Sequence, residues 1–157
     1  MQTLKIKCLR DVPLPSYSRE GDCAIDLRAS GVWIIGLDSD RREITQEEYT
    51  VQPGERIIVE SGIAIELPTG HFGSTRDRSG MAGNYGLHVL GGVLDENFRG
   101  EIGIIIVNLS TKPQTIKKNE RVAQMIIQPY TRVDIEKVEE LTETNRGTGR
   151  LGSSGKI

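Results

Sequence analysis

Residues 93–100 carry the side chains that could activate a water beside a bound ligand. Asp95 lies in the middle of this predicted hairpin, and a carboxylate at the end of a hairpin can act as a general base toward a water. Gly91 and Gly92 precede the segment, and glycines let a backbone come close to a flat ligand. A simple β-turn built on Asp95, Glu96 and Asn97 explains the same residues. The segment by itself leaves both interpretations open.

Two other segments have compositions that suit phosphate. Arg78 precedes a Ser-Gly entry to a short predicted helix, and exposed amides beside a hydroxyl and a guanidinium bind phosphate well. An ordinary helix cap explains Ser79 equally well. Residues 146–155 combine glycine amides, arginines and hydroxyls, which suits a polyphosphate wrap. A disordered tail has the same composition.

Two polar side chains interrupt apolar strands. Asp26 alternates with apolar residues in segment 24–29, as a charge on a solvated edge strand also does. Gln124 stands inside an otherwise apolar segment. Because burying an amide costs free energy unless it is hydrogen-bonded, Gln124 must have a partner or face a site.

The elements that position these residues are predicted to be short β-strands. Runs rich in β-branched residues, cut by Gly and Pro, favour an all-β sandwich or barrel. Only residues 79–84 look helical. Residues 36–48 are polar and strand-poor, so we expect a surface insertion there. The predicted strands are residues 4–8, 56–59, 63–67, 102–107 (buried on both faces), 122–127 and 133–138.

Composition limits the function classes. The chain has 157 residues, which fits one domain, and its net charge of −2 argues against a general nucleic-acid binder. No apolar run reaches the roughly 18 residues that a membrane span needs. No secretory signal is visible, so we expect an intracellular, cytoplasmic protein. Cys8 and Cys23 are too few for a disulfide framework and are predicted to be buried thiols.

Taken together and in order, these segments resemble the motifs of the trimeric dUTP pyrophosphatase (dUTPase) family. The family patterns are roughly GxDLRA, RSGxA, GVIDxxYRG, RxAQ and RGxGGFGSTG. The match runs from about residue 21 to residue 155, nearly the whole chain. The resemblance implies a distorted jelly-roll-like β-barrel or sandwich, a β-clip, over residues 1–144. Residues 145–157 would then be a flexible Gly-rich arm that closes over an active site.

The resemblance also implies an activity and the residues that carry it. The family hydrolyses dUTP to dUMP and pyrophosphate with Mg²⁺, in a homotrimer whose sites each draw on three chains. Asp95 would be the base for the attacking water, and Gln124 and Arg78 would act near the phosphates. Asp26 would contact Mg²⁺ through waters. The implied substrate-binding residues are Ser79, Gly80, Val89, Gly92, Val93, Leu94, Phe98, Gly100, Arg146, Arg150, Leu151, Gly152 and Ser153.

Three positions depart from the family pattern. Phe98 stands where Tyr is usual, Leu151 where Phe is usual, and Arg150 where Gly is usual. Phe98 keeps a ring that can lie under deoxyribose and exclude a 2′-hydroxyl. The two changes in the tail put arm closure in more doubt than the chemistry.

Two other functions remain as alternatives. The related dCTP deaminases carry a catalytic Glu where this chain has Ile105, which argues against deamination. A non-catalytic nucleotide-binding or regulatory module on the same fold is the other alternative. The presence of Asp95, Gln124, Arg78 and Arg146 favours an enzyme. The partners implied are dUTP and other copies of the chain, without nucleic acid or membrane.

Overall fold

The computed structural model describes residues 2–150, which form short strands and one helix of seven residues. Most strands contain Val, Ile or Thr, the β-branched residues that fit a pleated sheet. The elements are β1 (Lys5–Cys8), β2 (Ala24–Arg28), β3 (Val32–Ile35), β4 (Arg42–Thr45), β5 (Glu48–Val51), β6 (Arg56–Glu66), β7 (His71–Asp77), α1 (Ser79–Tyr85), β8 (Leu87–Leu90), β9 (Val93–Leu94), β10 (Glu101–Asn108), β11 (Gln114–Lys117) and β12 (Arg121–Pro129).

The strands form two main antiparallel sheets and a small third one. The larger sheet has the order β4-β3-β6-β10-β8, with β1 also paired to β6. The second has the order β2-β12-β7-β9, and β11 pairs with β5. Side chains from all three sheets form one core, in which Trp33, Leu27, Ile57 and Met125 are almost fully buried. The all-β prediction is therefore confirmed, as a sandwich and not a closed barrel within residues 2–150.

Most of the local predictions are confirmed. A strand covers or overlaps each of the segments 4–8, 102–107 and 122–127, and α1 covers the predicted helix. The two strands predicted at 56–59 and 63–67 form one continuous strand, β6. Segment 102–107 is less buried than expected, since Gly103 is exposed and Ile105 is half-buried. No helix within the described residues is long and apolar enough to cross a membrane.

Three predictions are wrong. Residues 133–138 form no strand: they pair with no segment among residues 2–150, and all six are exposed, so their alternating pattern buries no face. Residues 36–48 lie at the surface but are not strand-poor, since β4 pairs with β3 there. Cys8 and Cys23 are both exposed. Cys8 ends the short strand β1, and Cys23 lies in the loop before β2.

Candidate active site

A polar cavity of about 610 Å³ lies where β2, β12 and the end of β7 meet. We call it the phosphate cavity. The antiparallel register sets Gln124 opposite Asp26 on one side and opposite Arg76 on the other. The sequence-predicted residues that line this cavity are Asp26, Arg78, Ser79, Gly80 and Gln124.

Gln124 has the partner that its position requires. Its Nε2 donates to the main-chain oxygen of Asp77 over 2.7 Å, at the end of β7. One N–H and the carbonyl oxygen of the amide are not used by this bond. The amide is thus held in place and still has polar atoms for a ligand.

The helix begins differently from the predicted cap. Arg78 is the N-cap residue, in extended conformation, and no side chain caps α1. The Ser79 hydroxyl is therefore not used as a cap and lines the phosphate cavity. Gly86 follows the helix as its C-cap residue. Its left-handed backbone conformation lets its N–H donate a hydrogen bond to the last carbonyl oxygens of the helix.

Two arginines hold the Asp26 carboxylate. Arg78 Nε donates to Oδ1 over 2.8 Å, and Arg121 Nη1 donates to Oδ2 over 3.1 Å. The Asp26 side chain is 16% exposed, so both charge-assisted bonds are partly shielded from solvent. Two guanidinium groups on one carboxylate leave a positive surplus, which suits an anionic ligand. Arg121 was missed from sequence, because only the pairing of β12 with β2 brings it to Asp26.

A second cavity, of about 600 Å³, lies at the tip of the hairpin that carries Asp95. We call it the hairpin cavity. Asp95 is exposed, and its main-chain oxygen accepts the Phe98 N–H over 3.0 Å, which closes the turn. The turn expected at this position is therefore present. The side-chain carboxylate of Asp95 is exposed and does not pack against a buried partner.

Glu96 anchors this hairpin to the rest of the chain. Its Oε2 accepts the Gly70 N–H over 2.8 Å and the Tyr130 hydroxyl over 2.7 Å. The hydrogen bond from Tyr130, with that from Gly70, lowers the pKa of the Glu96 carboxyl. The same bond raises the pKa of Tyr130. Both residues were missed from sequence, because they are far apart in the chain and only the fold joins them.

The glycine turn before Asp95 is pressed against β7. Gly92 has φ +105°, and the Thr75 N–H donates to its oxygen over 2.8 Å. A Cβ at Gly92 would lie 2.2 Å from Thr75 Oγ1. The predicted hairpin is not formed as two paired strands, because β8 pairs with β10 whereas β9 pairs with β7 in the other main sheet. The segment of residues 91–100, for which we keep the name hairpin, is a connection that joins the two main sheets.

Phe98 packs on Gly100. A Cβ at Gly100 would lie 2.7 Å from the Phe98 ring, so only glycine permits this contact. The ring remains 39% exposed. Its position on the backbone of Gly100 leaves a ring face available to a ligand.

One chain does not bring the whole predicted set together. Asp95 and Val93 line the hairpin cavity and not the phosphate cavity. Arg146 and Arg150 lie in an exposed segment, where Arg146 Nε donates to its own neighbour Gly149 over 3.3 Å. Leu151, Gly152 and Ser153 lie outside the described residues.

The fold and the two cavities define a β-sandwich protein with a site for a phosphate-bearing ligand. The sequence model of the dUTPase family matches residues 44–155. A deoxyuridine 5′-triphosphate nucleotidohydrolase of Anaplasma marginale is 39% identical over 97% of this chain and 99% of its own length. The chain belongs to the dUTPase family.

Solved structures support the same fold. The dUTPase of Staphylococcus bacteriophage 80alpha, solved with dUpNHpp, has a TM-score of 0.79 and 23% identity and covers 99% of both chains. A mutant dUTPase of phage phi11 of S. aureus, whose structure describes the coordination of a structural Mg(II) ion, has a TM-score of 0.74 and 19% identity. It covers 90% of this chain and 99% of its own. These neighbours confirm the jelly-roll-like fold.

Proposed function

We propose that this protein is a hydrolase that converts dUTP to dUMP and pyrophosphate by attack of water on the α-phosphorus. Such an activity limits uracil incorporation into DNA and supplies dUMP for thymidylate synthesis. Because its substrate is an intracellular nucleotide, we also propose that the protein is located in the cytoplasm. The observation that carries it is the grouping of Asp26, Arg78, Ser79 and Gln124 around one positive cavity, in a chain that also presents Asp95 on an anchored hairpin.

In this proposal Asp95 takes a proton from the attacking water. Its carboxylate is exposed at the hairpin tip, so a water can reach it. Gln124 places the α-phosphate and the water with the polar atoms that its bond to Asp77 leaves unused. Arg78, Ser79 and the Gly80 amide hold the phosphate chain, because charge-assisted bonds to phosphate are strong.

Each complete site would be shared between chains of a homotrimer. Two observations support self-association. The base lies in one cavity and the phosphate-binding residues in another, so a second chain is needed to join them. Val133, Ile135 and Leu141 are also 75%, 96% and 86% exposed, an apolar surface that a neighbouring chain would cover.

Uracil and deoxyribose would be selected at the hairpin. The backbone of residues 89–94, with Gly100, would present donors and acceptors to the uracil edge, and cytosine would set a donor against a donor. Mispaired polar groups in a closed site give strong rejection. The ring of Phe98, resting on Gly100, would lie under the sugar and leave no room for a 2′-hydroxyl.

Mg²⁺ fits this site in an outer-shell role. Both Asp26 oxygens accept bonds from arginines, and no group of three metal-ligating side chains occurs within residues 2–150. Oδ2 also accepts the Ser18 hydroxyl over 3.2 Å, whereas Oδ1 accepts only Arg78. Oδ1 therefore has a second acceptor position, with which Asp26 can bond a water of an ion held by the phosphates. A bound Mg²⁺ would offset phosphate charge as it builds up in the reaction. The structural Mg(II) ion of the phage phi11 relative supports this part of the proposal.

The tail would close over the bound nucleotide. Arg146 would neutralise the γ-phosphate, with Arg150 beside it, and Leu151, Gly152 and Ser153 would cover the base and phosphates. Deleting residues 146–157 should leave a folded oligomer with greatly reduced turnover. A variant that loses its folded state instead would assign the segment a structural role.

Pyrophosphate release from dUTP with Mg²⁺ tests the proposed function. Wild type should hydrolyse dUTP in preference to dCTP, dTTP and UTP, and Asp95→Asn should reduce kcat by about 10² or more. A wild-type protein that binds dUTP without turnover would instead be a nucleotide-binding module. Ammonia release from dCTP would indicate a deaminase, although Ile105 lies between Ile58 and Leu90 without a carboxylate.

A further inference from the structure

Asp77 contacts both the beginning of segment 89–94 and Gln124, which in a shared arrangement would serve two different sites of the oligomer. Its carboxylate Oδ1 accepts the Val89 N–H over 2.6 Å, and Oδ2 lies 2.7 Å from His88 Nδ1. Its main-chain oxygen accepts the Gln124 amide over 2.7 Å. One residue thus contacts Val89, the first residue of the base-reading segment 89–94, and Gln124, which lines the phosphate cavity.

The carboxylate joins β7 to β8, two strands that do not pair with each other. The later residues of segment 89–94 are held on β7 by the β7–β9 pairing and by the bond from Thr75 to Gly92, so Asp77 fixes the beginning of the segment. Asp77 ends β7, which pairs with β12 and β9, whereas β8 pairs with β10 in the other main sheet. A hydrogen bond from a backbone N–H to an ionised acceptor is about twice as strong as a neutral one. The Asp77 side chain is 27% exposed, so water competes only partly for these bonds.

We infer that Asp77 is a positioning residue that fixes the beginning of the base-reading segment and so determines nucleobase discrimination. The inference rests on the proposed function of the site. Reading a base with backbone groups requires their placement to within about 0.5 Å. Val89 begins that segment, and its N–H is fixed by Asp77.

A mutation of Asp77 can distinguish its side-chain contacts from its main-chain contact. Replacing the side chain removes the bonds to Val89 and His88 and keeps the main-chain bond to Gln124. The base-reading segment should therefore shift while the catalytic amide stays in place. We expect KM and base selection to change and kcat to change little.

Asp77→Ala tests the inference directly. It should raise KM for dUTP about tenfold and lower the preference for dUTP over dCTP, as a ratio of kcat/KM, about tenfold, with kcat within about twofold. Asp77→Asn should keep most of the preference, since its side-chain oxygen can still accept the Val89 N–H. Asp77→Ser, too short to hold both partners, replaces the alanine variant if that variant does not fold.

Glu55 provides a matched control. Its carboxylate also accepts one backbone N–H, from Gln52 over 2.7 Å, and one side-chain donor, the Tyr49 hydroxyl over 2.6 Å. Glu55→Ala should lower the melting temperature and leave the dUTP preference unchanged. The inference is overturned if Asp77→Ala or Asp77→Ser keeps wild-type KM and preference, or if Glu55→Ala changes the preference as much.

The affinities of dUMP and dCMP, measured by calorimetry on the same variants, separate this inference from the proposed function. A wild-type protein that hydrolyses no dUTP would refute the proposed function alone. The preference for dUMP over dCMP, compared between wild type and Asp77→Ala, would then still decide the role of Asp77. Equal preference in both proteins would refute that role whether or not turnover is seen.

Discussion

Mixing two inactive variants should restore activity if the site is shared between chains. The phosphate cavity holds Gln124 and the hairpin cavity holds Asp95, and one chain does not join them. Asp95→Asn removes the proposed base, and Gln124→Ala removes the amide proposed to place the phosphate and water. Each variant alone should lose about 10² or more in kcat.

The size of the recovery follows from how the chains are combined. In an equal, random mixture, half of the chains carry an intact Asp95 and the other half an intact Gln124. A site that takes these residues from different chains is intact in about a quarter of cases. The mixture should thus reach about a quarter of wild-type turnover. A site contained in one chain always carries one of the two lesions and would recover nothing.

Pyrophosphate release after joint refolding measures this recovery, with each variant refolded alone at the same total concentration. The control combines wild type with the double variant Asp95→Asn, Gln124→Ala in equal amounts. Shared sites predict about a quarter of wild-type turnover in this control, and sites within one chain predict about half. A variant mixture no more active than its separate components, with a control near half, would refute the shared site.

Three further predictions concern stability. Gly92→Ala should lower the free energy of unfolding, measured by urea denaturation, by about 2–4 kcal/mol, because the backbone there has φ +105° and the new Cβ would overlap a β7 side chain. Gly54→Ala is the control: with φ +78° and open space around it, the substitution should cost only about 1 kcal/mol. Tyr130→Phe should destabilise the fold at pH 7, and its deficit should shrink as pH falls below the ordinary value of 4.5. This follows because a lowered pKa of Glu96 stabilises the fold above that value and the gain is lost on protonation; an unchanged deficit at pH 3 would contradict this cause. Glu60→Gln should raise the free energy of unfolding at pH 7 by roughly 0.5–1 kcal/mol, because burial raises the Glu60 pKa and one carboxylate oxygen is buried without a partner. That gain should vanish below pH 4.5, where the wild-type carboxyl is also neutral, and a gain that is constant with pH would exclude the charge as its source.

Local pattern was enough to predict the strands that pair within the chain. Segment 63–67 alternates, ends at a Pro-Thr-Gly turn, and forms part of β6. Segment 133–138 alternates in the same way and forms no strand, because a strand also needs a partner, and among the described residues this exposed segment pairs with none. Segment 36–48 shows the opposite case, since β4 is polar but pairs with β3.

The site was predictable only where residue type and motif order carry its chemistry. Gln124 could be recognised because an amide in an apolar strand needs a partner, and Asp77 supplies it. Asp77 and Glu96 themselves could not be recognised. Their roles come from bonds to Val89, Gly70 and Tyr130 that the fold creates between distant segments.

The charge of the phosphate cavity explains why its residues alone do not complete a triphosphate site. Three arginines against two aspartates line it, which leaves a surplus of one positive charge. A triphosphate carries several negative charges, so under the proposed function Mg²⁺ and a neighbouring tail would supply the further cations. Arg146 contacts only its own turn in the described chain, and so remains available for that role. Arg150, where the family has glycine, adds a cation beside it. We therefore propose that the departure from the family pattern at Arg150 supplies positive charge that the cavity lacks.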